Sequence, residues 1–447
     1  MIAIVGGGIT GLSAAWHLAK AGQQSLLIER NAHLGGVIQT TAWEGCVLEG
    51  GPDSFLSVKP EAIQLAKELG IEGEVIASND DRRLTYIWKN NRMIAMPDGM
   101  MMMIPTRIGP VVTTPLLSWP TKVRMGLEYL RRPGGPQPER SVSEFICEHY
   151  GQETVDYLAE PLLSGVYGGD PRALSVDAVL ARFVDMETKY GSLTRAALAA
   201  RKKMPATSEP LFRTFKNGLA SLTTALERGI AAHTRVIRGE VEAIEPGWRL
   251  RVNGEWIEAQ QVILATPAYA SGALLRSHDP ELGRLLETVD YSSSITVALV
   301  FRPGRVANPP GFGFLIPKKE RRTLMAGTWV QNKFPHRAPE GYVILRGFIG
   351  GAAARSMISM TDEEIFASVY RDLQRLLGID VTADYQCITR WTRSMAQYTL
   401  GHHYRMKEAT KRAEALSGLF LAGNAYSGIG IPDCIRTGRN AAECCLR

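Results

Sequence analysis

At 447 residues the chain is longer than one hydrophobic core usually serves, so two or three domains are expected. Its 45% hydrophobic and 21% charged residues describe a globular protein, which excludes a disordered or fibrous chain. The net charge of +6 tilts toward anionic ligands or an anionic surface. The basic residues are not interleaved with aromatics and match no nucleic-acid module, so nucleic acid is not expected as a partner.

The chain opens on a short apolar run, Ile2-Ala3-Ile4-Val5, followed at once by Gly6-Gly7-Gly8-Ile9-Thr10-Gly11. Leu12 to Ala21 reads as a helix ending near Gly22, and Ser25-Leu26-Leu27-Ile28 as a second strand ending in Glu29. This is strand, glycine turn, helix, with the G-x-G-x-x-G spacing on Gly6, Gly8 and Gly11. Gly6 permits the tight turn, Gly8 lets the backbone approach a pyrophosphate, and Gly11 lets helix and strand pack closely. The helix start offers free N–H groups to phosphate. Glu29 can accept hydrogen bonds from ribose hydroxyls. The glycine start also reads as part of a fold rather than a leader peptide.

A second glycine segment follows the ribose acid: Leu34-Gly35-Gly36-Val37-Ile38-Gln39-Thr40, then Glu49-Gly50-Gly51-Pro52-Asp53-Ser54-Phe55. A nicotinamide-binding unit has no need of it. An extended FAD does, because it must thread past close-approaching backbone to reach a buried flavin ring.

Residues 100–119 are apolar but contain Pro105, Pro110, Pro115 and Arg107. They are expected to form short helices or a lid, and no spanning helix is expected anywhere. Ser141 to Gly151 and Asp177 to Ala200 read as helical. Thr234 to Ile244 reads as a strand region, Arg249 to Val252 and Trp256 to Ala259 as a hairpin about Asn253-Gly254, and Gln261 to Thr266 as a buried strand. Further strands are expected over Ile295 to Phe301, Phe312 to Ile316 and Tyr342 to Ile349. Near the end, Leu419-Phe420-Leu421 leads through a glycine-rich turn with Gly428 and Gly430 into a helix over Asp433 to Cys445. Such a helix start beneath a flavin would stabilise negative charge on the reduced ring.

The expected fold is therefore α/β: a split Rossmann-like FAD-binding domain (1–80, 208–272 and 412–447), a mostly helical insert (84–205) and a mixed-sheet substrate domain (273–411). The six cysteines (Cys46, Cys147, Cys387, Cys434, Cys444, Cys445) lack metal-ligand spacing, so no metal is expected and the thiols read as reduced, in a cytoplasmic protein. Trp88, Met100 to Met103, Leu116, Leu117 and Trp119, flanked by Lys122 and Arg124, suggest peripheral contact with the inner face of a membrane.

The motifs Gly6 to Leu12, Leu34 to Thr40, Glu49 to Phe55, Glu160-Pro161-Leu162-Leu163-Ser164-Gly165-Val166-Tyr167-Gly168-Gly169-Asp170, Thr214 to Leu219 and Gly423 to Ile435 span essentially the whole chain. With them it resembles the FAD-dependent porphyrinogen oxidases of haem biosynthesis, which act on protoporphyrinogen IX or coproporphyrinogen III and belong to the monoamine-oxidase-like flavoproteins. The resemblance implies a six-electron oxidation in three flavin cycles, with dioxygen as acceptor and hydrogen peroxide formed. It implies that Gly6, Gly7, Gly8, Ile9, Thr10, Gly11 and Glu29, with Arg30 nearby, hold the ADP part of FAD. Gly35, Gly36 and Val37 would pass the ribityl chain, and Gly50, Gly51, Pro52 and Asp53 would lie at the flavin ring. Val241 would meet adenine, and Ile429, Gly430 and Ile431 the flavin pyrimidine.

Met101, Gly165 and Tyr167 are candidates for the porphyrinogen, and a ferrochelatase-type enzyme is the implied handover partner. Some eukaryotic relatives carry a propionate-pairing arginine in the segment matching Met96 to Met102. None stands here, so Arg82, Arg83, Lys89, Arg92 and Arg107 become candidates. No catalytic residue and no oligomeric state is legible. The charge and the stretch Met93 to Thr106, which with Ile104-Pro105-Thr106 is similar to the soluble bacterial branch, tilt slightly toward coproporphyrinogen III. Another amine-oxidase-like FAD oxidoreductase, which should show an aromatic cage (Trp391 and Tyr398 are available, but their flanking sequence does not resemble one), and an FAD-containing porphyrin carrier without turnover remain open.

Overall fold

The computed structural model describes residues 1–135, 137–203 and 209–447; the segment boundaries expected at 205 and 208 lie outside the described residues. Five strands form a parallel sheet in the order Thr234–Arg238, Ser25–Glu29, Ile2–Val5, Gln261–Leu264, Leu419–Leu421. The three inner strands are almost wholly apolar because a parallel sheet is covered on both faces. Ile2, Ile4, Leu27 and Ile263 enter one core with the helices Ile9–Lys20, Ala220–Ile230 and Ile431–Cys445. Ala3, Val5, Leu26, Ile28, Val262 and Leu264 enter the other, with the helices Ala268–Leu275, Pro280–Glu287 and His402–Glu414. Strand alternation thus feeds two cores from one sheet.

The helix expected from Leu12 starts earlier, at Ile9, because Gly8 caps it with extended backbone inside the turn. The strand region expected over Thr234 to Ile244 is two strands in different sheets. Thr234–Arg238 joins the parallel sheet, and Val241–Glu245 pairs with Arg249–Val252, itself paired with Glu255–Glu258. The C-terminal helix begins at Ile431, with Pro432 tolerated in its first turn.

A seven-stranded mixed sheet runs in the order Tyr385–Ala396, Tyr291–Phe301, Val343–Gly350, Ala326–Trp329, Gly313–Leu315, Thr85–Lys89, Arg92–Ala95. Only the Gly313–Leu315 and Thr85–Ile87 pairing is parallel. One face presents Ile295, Val297, Leu299 and Leu345 to the helix Asp362–Leu377, whose Ile365, Val369, Leu373 and Leu376 recur at helical spacing. A capping box between Thr361 and Glu364 starts that helix and left-handed Gly378 ends it. Each such leucine buried contributes roughly 1.5–3 kcal/mol.

Within 84–203 the sheet takes the first two strands, so the segment expected to be helical opens as a sheet edge. Helices follow over Ile108–Thr113, Trp119–Glu128, Val142–Tyr150, Glu160–Tyr167, Val176–Val179, Ala181–Tyr190 and Leu193–Lys203. The helix expected over Asp177 to Ala200 is broken at Leu180 and at Gly191, which takes a positive φ of 71°. Of the apolar residues read as a membrane face, Trp88, Met103, Leu116 and Leu117 are buried in cores instead. The exposed stripe is Trp119, Val123, Leu127 and Leu130, at 58–69% exposure. Both faces of the strand are covered at this point, so Ile87 and Trp88 are buried in different cores, and helical spacing from Trp119 sets the outward face. Among the described residues no helix is long and apolar enough to cross a membrane.

Candidate functional site

The first glycine turn folds back on the strand that follows it. Gly6 N–H donates to the Ile28 carbonyl at 2.8 Å, and Gly7 N–H to Glu29 Oε2 at 2.6 Å. Glu29 Oε1 accepts from Asn31 N–H at 2.8 Å and Asn31 Nδ2 at 2.6 Å. The carboxylate is therefore oriented beside the turn, at the sheet's C-terminal edge, where such folds bind ligands. A Cβ on Gly11 would collide with the Gly6 carbonyl oxygen, whereas one on Gly8 would point into open space. Gly11 is needed by the fold; Gly8 leaves a cradle. No side chain caps the helix that starts there, and no acid occupies its first turn.

The second glycine segment lies directly on the first. Gly35 N–H donates to the Gly7 carbonyl at 2.8 Å, and a Cβ on Gly36 would sit 3.2 Å from the Gly8 Cα. The track continues through half-exposed Val37 to Gly51, where a Cβ would strike the Val37 carbonyl and approach the Trp391 ring at 3.5 Å. Trp391 Nε1 donates to the Gly50 carbonyl at 2.8 Å. Beyond Glu29, an open hollow of ≈ 550 Å³ is lined by Arg30, Asn31, Arg238, Gly239 and Glu240, with Val241 next in chain. Arg30 lies 4.0 Å from Glu240 there.

The third glycine turn reaches the same place from the other end of the chain. Ser13 Oγ donates to the Ile435 carbonyl at 3.0 Å, so the first and last helices lie side by side near their N-termini. Gly428 N–H donates to the Tyr398 hydroxyl at 2.8 Å, which in turn donates to the Asn424 carbonyl at 2.7 Å. Gly430 N–H donates to Asp433 Oδ2 at 3.3 Å, and Lys59 Nζ sits 2.6 Å from the same oxygen. Two helix starts, an oriented acid, an open cradle at Gly8 and a hollow past the acid together fit an extended FAD.

The sequence profile of the flavin containing amine oxidoreductase family matches residues 9–446. The chain belongs to this family. It is an oxidoreductase, and its cofactor is FAD. It is similar to the coproporphyrinogen III oxidase of Bacillus subtilis (strain 168), with 34% identity over 99% of this chain and 97% of that one. It is 27% identical to protoporphyrinogen oxidase 1, chloroplastic, of Spinacia oleracea, over 97% of this chain and 81% of that one. A crystallised protein of Exiguobacterium sp. 255-15, provisionally assigned as a protoporphyrinogen oxidase, superposes with a TM-score of 0.89 at 29% identity, covering 99% of this chain and 98% of that one.

In this flavoprotein the large sheet turns its second face toward Gly50 and Gly51. Register places Ser294, Thr296, Arg346, Phe348, Ala326 and Leu315 on that face. Three of these side chains, Ser294, Thr296 and Ala326, are short, and they lie among the longer Arg346, Phe348 and Leu315. The helix Glu160–Tyr167 packs across it, with Gly165 positioned so that a Cβ would meet Leu315 at 3.6 Å. A π-helical turn over Val155–Ala159 precedes this helix, a feature that recurs at functional sites. Buried Glu160 anchors it by accepting from Ser164 Oγ at 2.8 Å, Lys318 N–H at 2.9 Å and Arg321 Nη2 at 2.9 Å. Burial, reinforced by the Asp433 charge, pushes the Tyr167 hydroxyl up to about 12. The Tyr167 carbonyl accepts from Gln397 Nε2 at 2.6 Å, one residue before Tyr398, whose hydroxyl accepts from Gly428 in the turn that leads to the last helix. Met101 sits in a two-stranded hairpin, Met100–Met101 with Ile104–Pro105, against the insert core.

Of the arginine and lysine candidates, Lys89 is held by Glu153 at 2.9 Å and the Leu116 carbonyl at 2.7 Å. Arg107 pairs with Asp98, and Arg83 lies 3.9 Å from Asp80. Arg82 and Arg92 are exposed. Trp391 and Tyr398, the aromatic-cage candidates, each bond to backbone, and Tyr398 stacks on His402 at 4.0 Å. Lys59, Lys333 and Arg346 lay outside the sequence reading. The one available signal was a charge inside an apolar strand, Val343-Ile344-Leu345-Arg346.

Proposed function

We propose that this flavoprotein oxidises a porphyrinogen to the porphyrin, with coproporphyrinogen III as the substrate and dioxygen as the electron acceptor. The observation that carries the choice is the 34% identity, over nearly both chains, to a coproporphyrinogen III oxidase, against 27% to a protoporphyrinogen oxidase. The short-residue face around Ser294, Thr296 and Ala326, bounded by Phe348 and Leu315, suits a broad, flat macrocycle.

When bound, FAD supplies the two-electron redox chemistry, used three times per macrocycle. The chain's own groups bind and orient. Glu29, already turned by Gly7 and Asn31, accepts from the adenosine ribose, with Arg30 and Val241 at the adenine hollow. Gly6 to Gly11 and the amides of Ile9 and Thr10 face the pyrophosphate. Gly35, Gly36 and Val37 line the path to the ring, and Gly50, Gly51, Pro52 and Asp53 lie beside it. Ile429, Gly430 and Ile431 present the last helix's positive end to the pyrimidine. Tyr167, kept protonated, offers a hydrogen-bond donor beside Gly165 on the substrate side, with Met101 on the adjoining insert.

Anaerobic mixing with coproporphyrinogen III, and separately with protoporphyrinogen IX, tests this. Bleaching of the oxidised-flavin band with porphyrin fluorescence appearing faster from coproporphyrinogen III is expected. An oxidised flavin that persists with both substrates overturns the reading and leaves the amine-oxidase and carrier alternatives. The exposed stripe Trp119, Val123, Leu127 and Leu130, beside Lys122, Arg124, Arg131 and Arg132, supports peripheral docking on an anionic membrane surface. A ferrochelatase-type enzyme is the natural consumer of the product, because metal insertion takes the aromatic macrocycle.

A further inference from the structure

Behind Gly50 and Gly51 lies a buried charge cluster drawn from three separated parts of the chain, residues 49–53, 333–337 and 346. Lys333 Nζ sits 3.0 and 3.1 Å from the two carboxylate oxygens of Asp53. Arg346 Nη1 sits 3.9 Å from Asp53 Oδ2, and Arg346 Nη2 donates to the Gly51 carbonyl. Arg337 Nη2 sits 2.9 Å from Glu49 Oε1, which also accepts from Leu219 N–H at 2.8 Å. Arg337 is 1% exposed and Arg346 3%. The cluster holds three cations against two carboxylates. Burial opposes ionisation of Asp53, but Lys333 and Arg346 outweigh it and hold the carboxyl well below its usual range. Burial lifts Glu49 instead, against the pull of Arg337 and the Thr40 and Leu219 donors.

Fold stability does not explain Arg346. Its strand is otherwise apolar, and a buried ion pair replaced by well-packed apolar residues is often neutral or stabilising. Among the described residues Arg346 Nε has no hydrogen-bond partner, which adds to the cost of keeping a guanidinium there. What Arg346 does reach is the Gly51 carbonyl, next to the Gly50 carbonyl that Trp391 holds from the same sheet face.

We propose that Arg346, with Lys333 and Asp53, positions the Gly50–Gly51 backbone against the flavin, and that the cluster's surplus positive charge favours flavin reduction. The proposal rests on the reading of Gly50–Gly51 as flavin-lining. Reduction adds negative charge to the ring system. A desolvated cation behind the lining peptide stabilises that charge far more than an exposed one would. Asp53 opposes the effect and sets its size. Arg346 is a positioning residue, acting through the Gly51 peptide and through its field.

The test is the flavin midpoint potential of the FAD-loaded protein, read by equilibration with a redox dye and without porphyrinogen. Arg346→Met should lower the reduced-to-oxidised ratio at fixed potential about tenfold, about 30 mV for a two-electron couple. Asp53→Asn should raise it in the opposite direction. Arg346→Lys keeps the charge and loses the fork, so it should restore the ratio to within about threefold while weakening FAD binding. Opposite signs from two partners of one cluster are not produced by loosened packing. If Arg346→Met does not retain FAD, Lys333→Met is read in its place, with the same downward shift expected. Shifts of one sign in all variants, or ratios all within about threefold of wild type, overturn the proposal. A wild type that binds FAD but leaves porphyrinogens untouched overturns the functional reading alone.

Discussion

Lys59 Nζ lies 2.6 Å from Asp433 Oδ2, although 374 residues separate them. The pair ties the segment after the second glycine track to the first turn of the last helix. Asp433 also accepts from Gly430 N–H at 3.3 Å and Arg436 Nη2 at 3.4 Å. Asp433→Ala should therefore destabilise the protein by about 1–2 kcal/mol, since it removes the helix's capping group and takes an acceptor from two cations and an amide. Lys59 is 41% exposed on its side chain, so Lys59→Met should cost no more than about 1 kcal/mol. Melting temperatures of both variants, with bound flavin quantified, check the order. Equal losses would mean that the ion pair, not the cap, holds the turn.

Gly8→Ala and Gly11→Ala should fail in different ways. A methyl on Gly11 meets the Gly6 carbonyl, a backbone atom that cannot give, so folding itself should suffer by about 1–3 kcal/mol or more. A methyl on Gly8 enters open space, so the apoprotein should lose at most about 1 kcal/mol as a poorer helix cap. Its FAD affinity should nonetheless fall at least about tenfold, about 1.4 kcal/mol. Flavin-fluorescence titration alongside apoprotein melting separates the two. Normal FAD affinity in Gly8→Ala would move the pyrophosphate away from this cradle.

His402 gives the protein an acid-side weakness. Burial, helped by the charges of Arg405 and His403, lowers it from 6.5 to about 4. The unfolded chain then holds the proton more tightly than the folded one. The full contribution is present above pH 6.5 and is lost as pH falls toward 4, at about 1.4 kcal/mol per pH unit and about 3 kcal/mol in all. His402→Phe should keep the stack on Tyr398 and flatten that limb. Urea midpoints of both proteins across this window decide it; parallel curves would assign the acid sensitivity to other groups.

The exposed stripe predicts salt-sensitive membrane binding. Wild-type protein should co-sediment with anionic vesicles at low salt and release as salt rises. Leu127→Glu with Leu130→Glu should weaken binding at least about tenfold while leaving flavin content unchanged, because both side chains are mostly exposed. No wild-type co-sedimentation would remove membrane docking from the functional reading.

Local chemistry was legible in the sequence by itself. The strand, glycine turn and helix at Ile2–Lys20, the acid at Glu29, the second glycine track and the glycine start of the last helix all depend on neighbours a few residues away. Hydrogen bonding and φ freedom set these locally. Tertiary structure alone decided what lies opposite what. It paired Ala3 with Val262 and Val262 with Leu419, drew Thr85–Lys89 out of the insert into the sheet, and buried Trp88 while exposing Leu130. It also brought Asp53, Lys333 and Arg346 behind one peptide. Strand order and buried ion pairs are set by partners hundreds of residues apart, and only the packed chain brings those partners within reach of one another.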